Sequence, residues 1–257
     1  MTPDGKIERA SSGLPNLDRV LNGGFPTSSI VCVIANPVAN ADLLLYRFSA
    51  ARKTYYIANS KRPEEIKSVM MRFGLDAGSV SFIADDTSKY LIDLTLRKIK
   101  GRGESNLNIV IDNFSFYLRS KPETEVIKRI LDTVRDAAVA SKGVVFLYIY
   151  KNTHSKDIEN LILGNSDVLL DVDVGGKQET ILSIPKMQGP LPSNKMRVIL
   201  GDRIEIEEIS TVPKAAAGLE ISRQRTGTLL QSLDEQYRRG EISKETYEEL
   251  KSRMGRR

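Results

Sequence analysis

The chain has no tryptophan, one cysteine and one histidine among its 257 residues. A single thiol, Cys32, excludes a disulfide framework, and together with a single histidine it supplies none of the clusters that zinc-type centres need. Cys32 falls inside an apolar run. His154 falls in the polar stretch Lys151-Asn152-Thr153-His154-Ser155-Lys156, where a solvated side chain is expected rather than a ligand or general base. No apolar run approaches the roughly 18 residues that span a bilayer, and the N-terminus lacks the basic-then-apolar order of a secretory signal. A cytoplasmic protein with no membrane partner is therefore expected. Apolar residues make up 40% of the chain and charged residues 28%, the balance of an ordinary globular protein. The length suffices for one α/β domain and an appendage.

Strands and helices alternate along the chain, the order of a mostly parallel sheet covered on both faces. Ile30-Val31-Cys32-Val33-Ile34 is a continuous β-branched run and reads as a strand buried on both sides. A helix follows over residues 41–52, then a strand, Lys53-Thr54-Tyr55-Tyr56-Ile57-Ala58. Pro63 stands where a helix can begin, since its missing N–H is harmless in a first turn. Ile66, Val69, Met70 and Phe73 follow at helical spacing, and Gly74 ends that helix. Residues 80–83 read as a strand, 91–100 as a helix, 107–112 as a strand, 122–141 as a long helix and 144–149 as a central strand. Residues 168–172 and 180–184 pair as a hairpin around Gly175-Gly176, and 197–209, broken at Gly201-Asp202, forms another.

The loop after the first strand carries the most information. Strand, tight loop and helix is the setting of the phosphate-binding P-loop, Gly-x-x-x-x-Gly-Lys-Ser/Thr. Here the loop reads Ala35-Asn36-Pro37-Val38-Ala39-Asn40-Ala41-Asp42. Ala35 and Asn40 stand for the outer glycines, Ala41 for the lysine and Asp42 for the hydroxyl. Upstream lies Ser12-Gly13-Leu14-Pro15-Asn16-Leu17-Asp18-Arg19-Val20-Leu21-Asn22-Gly23-Gly24-Phe25-Pro26. It resembles the opening signature of the RecA superfamily in its archaeal, KaiC-like branch: Ser/Thr-Gly-aliphatic-x-x-Leu-Asp-x-x-Leu-x-Gly-Gly-Ile/Phe-Pro. Leu107-Asn108-Ile109-Val110-Ile111-Asp112 resembles that family's Walker B strand. Ile184-Pro185-Lys186-Met187-Gln188-Gly189 resembles its late Ile-x-Lys-Met-Arg-Gly turn, with Gln188 in place of the arginine. The resemblance runs over residues 8–210 and implies a RecA-like P-loop NTPase fold, α/β, with a mostly parallel sheet and helices on both faces. It implies a degenerate nucleotide site formed by the loop from Ala35 to Asp42 with Asp112 and Lys186.

A P-loop holds phosphate by aiming successive backbone N–H groups inward at the positive end of a helix dipole. Val38 stands where the family commonly has glycine, and a β-branched residue resists positive φ. Asn40 is the tolerant replacement. Ala41 cannot reach a phosphate, and losing a comparable transition-state contact costs about 10²–10³ in rate. Asp42 sets a carboxylate at the helix N-terminus, where the dipole stabilises it by roughly 0.3–1 kcal/mol and where it would repel nucleotide phosphate. The family's water-activating glutamates are missing too. The matching place is Ala58-Asn59-Ser60, followed by Lys61-Arg62, and Glu64 and Glu65 fall in the next helix's first turn. Asp112 suits a magnesium-bound water in the family, and its plainer role here is capping or hydrogen bonding.

From Ser210 the composition shifts, and residues 211–227, with Pro213 and the run Ala215-Ala216-Ala217-Gly218, read as a linker. In 228–257, Leu229, Leu230, Leu233 and Tyr237 form one helical stripe and Tyr247, Leu250 and Met254 another, separated by Arg239-Gly240-Glu241-Ile242-Ser243. This pattern resembles the SHOCT module, a short helical hairpin, with an ordinary docked helix pair as the alternative. So small a unit must bury its stripes against the domain or another copy. The expected domains are therefore 1–210, the linker, and the hairpin 228–257. The expected function is that of a catalytically inactive KaiC/RecA-like homologue, a pseudo-ATPase serving as regulator or scaffold. It is expected to need no cofactor and to associate with itself or with a RecA/KaiC-like paralogue. Two alternatives stand beside it: a DNA-binding recombination accessory of the RadA-paralogue kind, and residual ATP binding with magnesium. A net charge of +5 permits nucleic acid. The basic residues are interspersed with acidic ones, however, so any such binding is expected to be weak and steeply salt-dependent.

Overall fold

The computed structural model describes residues 7–84, 91–176, 179–187, 189 and 195–209. The linker and helical hairpin expected for 211–257, and Gln188, lie outside the described residues. The described chain runs β1 (Arg9–Ala10), α1 (Pro15–Val20), β2 (Phe25–Pro26), β3 (Ser29–Ala35), α2 (Asp42–Ala50), β4 (Thr54–Ala58), α3 (Pro63–Arg72), β5 (Val80–Ala84), α4 (Leu91–Gly101) and β6 (Asn108–Asp112). It continues with α5 (Phe114–Leu118), α6 (Thr124–Ser141), β7 (Val144–Tyr150), α7 (Lys156–Asn165), β8 (Val168–Val174), β9 (Thr180–Lys186), β10 (Met196–Leu200) and β11 (Ile204–Glu208). One nine-stranded sheet holds the order β11-β10-β9-β8-β3-β7-β6-β4-β5. The strands from β8 to β5 are parallel neighbours, and β9, β10 and β11 extend the sheet as an antiparallel edge.

The expected α/β architecture holds. Every residue of β3 is buried, which explains its unbroken apolar run. Val31, Val33 and Ala35 face a core shared with Leu17, Leu44, Phe48 and Ile66 from α1, α2 and α3. Ile30, Cys32 and Ile34 face a second core with Leu96, Ile127, Val134 and Ile162 from α4, α6 and α7. Alternation along one strand thus feeds both helical layers. Phe25, Phe48 and Phe146 interlock in the first core, with ring centroids 5.2 Å apart in each pair.

Three short elements, β1, β2 and α1, organise the opening signature. Gly24 takes φ 112 there, and an added Cβ would stand 2.2 Å from the Ala10 carbonyl oxygen. That glycine is therefore required by the β1–β2 approach. Sequence reading also missed α7. Its signals were present: Ser155 caps the helix by accepting from the Ile158 N–H, Asp157 and Glu159 occupy the first turn, and Ile158 and Ile162 lie on one face.

Gly143, where α6 hands over to β7, gives a test of the packing. A Cβ there would lie 1.6 Å from the Leu107 carbonyl oxygen, whereas nothing lies within 4 Å of one at the exposed helical Gly164. Gly143→Ala is expected to cost about 3 kcal/mol in urea unfolding, since backbone must move to admit the methyl. Gly164→Ala is expected to add about 0.5–1 kcal/mol.

Candidate functional site

The carboxyl ends of β3, β4, β6 and β7 converge on the loop after β3, the crevice where open α/β sheets hold ligands. The loop is tied down by its own atoms. Asn36 donates its N–H to Val172 at 2.9 Å, the Ala39 N–H returns to the Asn36 carbonyl at 2.9 Å, and the Val38 N–H reaches the Asn36 side chain at 3.3 Å. Thr180 on β9 donates to the Ala39 carbonyl at 3.1 Å. Asn40 alone in the loop takes a left-handed backbone, φ 51, as its side chain permits. Val38, expected to resist positive φ, avoids it and projects outward, 72% exposed. The strain anticipated there is absent. Ala39 and Ala41 are wholly buried, so the position matching the P-loop lysine faces the core.

At the head of α2, the Asp42 carboxylate accepts from Lys61 Nζ at 2.5 Å and from the Tyr46 hydroxyl at 3.3 Å. Burial opposes the charge on Lys61, but the hydrogen bond and charge of Asp42 raise its pKa. The anionic end of this pair sits in the helix's first turn, where the dipole favours it. Neither residue of the Lys61-Arg62 doublet is left over to replace a P-loop lysine, because Arg62 pairs with Glu65 at 2.6 Å.

Asp112 ends β6 opposite Ala58 of β4 and is fully buried. Ser60 donates to its Oδ2 at 2.8 Å, while Oδ1 has no hydrogen-bond partner among the described residues. Burial raises its pKa to about 6, against the hydrogen bond from Ser60, with Asp42 raising it further and Lys61 lowering it. The buried Tyr56 hydroxyl acts on the same carboxyl without forming a well-aligned hydrogen bond. Tyr46, Tyr56 and Tyr148 all lie near both Asp42 and Asp112, and burial raises the pKa of each phenol. Asn59, in the place of the family's glutamate, is a clamp between strands. Its amide donates to the Asn113 carbonyl at 3.2 Å and its oxygen accepts from the Asn113 N–H.

Lys186 stands apart from this group. It pairs with Leu169, toward the amino-terminal end of β8, and its ammonium donates to the Leu163 and Gly164 carbonyls at 3.0 and 3.1 Å. It thus satisfies the last turn of α7. The loop, Asp42 and Asp112 come together, and Lys186 does not join them.

Sequence reading missed a second charged cluster beside the loop. Lys151 at the end of β7 reaches Asp171 at 2.9 Å and Asp173 at 3.0 Å on β8, and Asn36 donates to Asp173 at 3.3 Å. Burial opposes the Lys151 charge, and the two carboxylates raise its pKa. Two aspartates alternating on one strand were the available signal, since alternate residues share a face. His154 is likewise not the solvated side chain expected. It is half-buried, its Nε2 lies 2.7 Å from Ser115 Oγ, and burial lowers its pKa.

Residues 9–212 match the model of a family of unknown function, DUF7125. No curated protein matches the sequence. Among solved structures, a KaiC-like protein from the hyperthermophilic archaeon Pyrococcus horikoshii OT3 is similar. Its TM-score is 0.61 at 17% identity, over 80% of this chain and 100% of that one. The fold is thus KaiC-like and RecA-like.

Asp112 supplies a pH test. Its folded pKa stands above the unfolded value, so the protonated carboxyl stabilises the fold at low pH, and that contribution is lost as the pH rises through about 6. Each pKa unit carries about 1.4 kcal/mol. Asp112→Asn, which keeps an acceptor for Ser60, is expected to raise stability by about 2 kcal/mol near neutrality and to change it little in acid. Urea midpoints across that range check this; equal midpoints for both proteins throughout would refute it.

Proposed function

We propose that the chain, which belongs to the family of unknown function DUF7125, is a KaiC-like pseudo-ATPase that acts as a regulatory or scaffolding interaction protein. The observation that carries this reading is the Asp42–Lys61 pair at the head of α2. The helix end that would face a phosphate holds a carboxylate of its own, and the Lys61 ammonium is spent neutralising it. Two further features support it. Loop amides of Val38 and Ala39 are satisfied within the loop, and Asn59, where the family has a glutamate, has both amide groups committed to Asn113.

The charge distribution weighs against a nucleic-acid track. Arg97, Lys100, Lys128 and Arg135 each pair with a carboxylate, and Arg102 donates to Tyr55. Exposed pairs of this kind are individually weak, yet each sets a carboxylate beside the cation, which opposes a phosphate track at those positions. What remains is a stable platform for association, through a retained interface with its own kind or with an active RecA/KaiC-like paralogue.

Calorimetric titration with magnesium-ATP is expected to show no saturable heat, and phosphate release is expected to match a buffer blank. Micromolar affinity with turnover that Asp112→Ala abolishes would sink the pseudo-ATPase reading.

Association is assigned to the apolar stripes of residues 228–257. Deleting that segment is expected to lower the mass measured by light scattering while the far-ultraviolet spectrum of the α/β domain persists. An unchanged mass would assign the stripes to docking within one chain.

A further inference from the structure

A cavity opens beside His154, built from residues that the β3 loop does not use. It has a volume of about 500 Å³, within the range that holds small ligands. It lies outside the carboxyl ends of β6 and β7. Its polar lining comes from Ser115, Arg119, Lys121, Tyr150, Thr153, His154 and Ser155, and among the described residues no carboxylate lines it.

The floor is an ordered donor–acceptor pair. Ser115 is buried, and its Oγ accepts the Tyr150 N–H at 2.8 Å while contacting His154 Nε2 at 2.7 Å. With a neutral imidazole, either group can donate across that contact. With an imidazolium, Nε2–H must donate, which frees the Ser115 hydroxyl to donate elsewhere. An anion in the cavity would therefore gain a charge and a hydroxyl donor together.

The rim is cationic and unspent. Neither Arg119 nor Lys121 forms an ion pair with a carboxylate among the described residues, in contrast to Arg62, Arg97, Lys100 and Arg135. The Arg119 guanidinium lies 4.3 Å from the Phe116 ring centroid, a contact that orients its fork without consuming N–H donors. The groups acting on His154 balance in a way that suits an anion. Burial lowers its pKa, Glu159 on α7 raises it and Arg119 lowers it, so a bound anion would act against the burial and Arg119 and favour the imidazolium.

We propose that this cavity binds a small phosphomonoester, with the phosphoryl group held by Arg119, Lys121 and the Ser115–His154 pair and the organic part resting on Leu118, Pro122 and Ile158. A phosphomonoester is a near-dianion with three acceptor oxygens, which matches two fixed cations and one inducible one. This site is independent of the silent β3 loop and of the interaction role.

The test uses the fact that the chain has one histidine, so its imidazole gives a single resolved set of NMR signals. Full-length protein is titrated with phenyl phosphate at constant ionic strength. Saturable movement of the His154 signals is expected, with a rise of its pKa back toward the ordinary histidine value. Arg119→Ala/Lys121→Ala, both at exposed positions, is expected to weaken binding by about tenfold or more while leaving the fold intact. An unmoved His154 signal, or a response unchanged in that double variant, overturns the proposal. A parallel titration with a short single-stranded oligonucleotide separates the sources of phosphate. Saturation by the oligonucleotide at concentrations far below those of phenyl phosphate would overturn the small-molecule assignment in favour of a polymer backbone.

Discussion

The described fold hangs on β3, which is paired along both edges and buried on both faces. Parallel ladders to β7 and β8 satisfy its backbone groups, and its side chains alternate between two separate cores. Its start is pinned as well. Asp167 accepts the Ile30 N–H at 2.7 Å, its own N–H donates to the Ile30 carbonyl at 2.8 Å, and Arg135 pairs with its carboxylate. A strand held this way cannot slide, because a one-residue slip would exchange its two faces. The carboxyl end is therefore fixed, and with it the loop, the head of α2 and the neighbouring ends of β6 and β7.

That rigid crevice is filled by charges that answer one another. Asp42 is matched by Lys61, while the one Lys151 ammonium faces both Asp171 and Asp173, so these pairs hold three carboxylates with two cations and leave the surroundings of the loop net negative. Asp112 is the exception. It is deep, offered one hydrogen bond and surrounded by phenols, and burial raises its pKa to about 6. The contrast with the His154 cavity is physical rather than positional. There, among the described residues, the cations lack carboxylate partners and the walls carry no acid.

The agreement between reading and structure follows the range of the interactions. The order of strands and helices was legible from apolar periodicity, because burial acts on each segment directly. Asn40 as the left-handed residue was legible too, since backbone preference is local. Val38 was misjudged because the turn from Asn36 to Ala39 holds it without a positive φ, which falls to Asn40 instead. α7 was overlooked because its short polar approach masked a serine cap and an apolar face.

The sequence by itself determined the α/β class, and it sets Ala41, Asp42 and Asn59 at the places where the resemblance to KaiC-like ATPases leads one to expect a lysine, a hydroxyl and a glutamate. These are properties of single positions in a recognisable order. Only the tertiary structure decided where each polar group spends its hydrogen bonds. It sends Lys186 to the end of α7, Asn59 to the Asn113 backbone, Lys61 to Asp42 and His154 to Ser115. Those partners lie 19 to 54 positions apart in the chain, and they meet because strand register and helix crossovers bring them together. Sequence spacing carries no record of such a meeting.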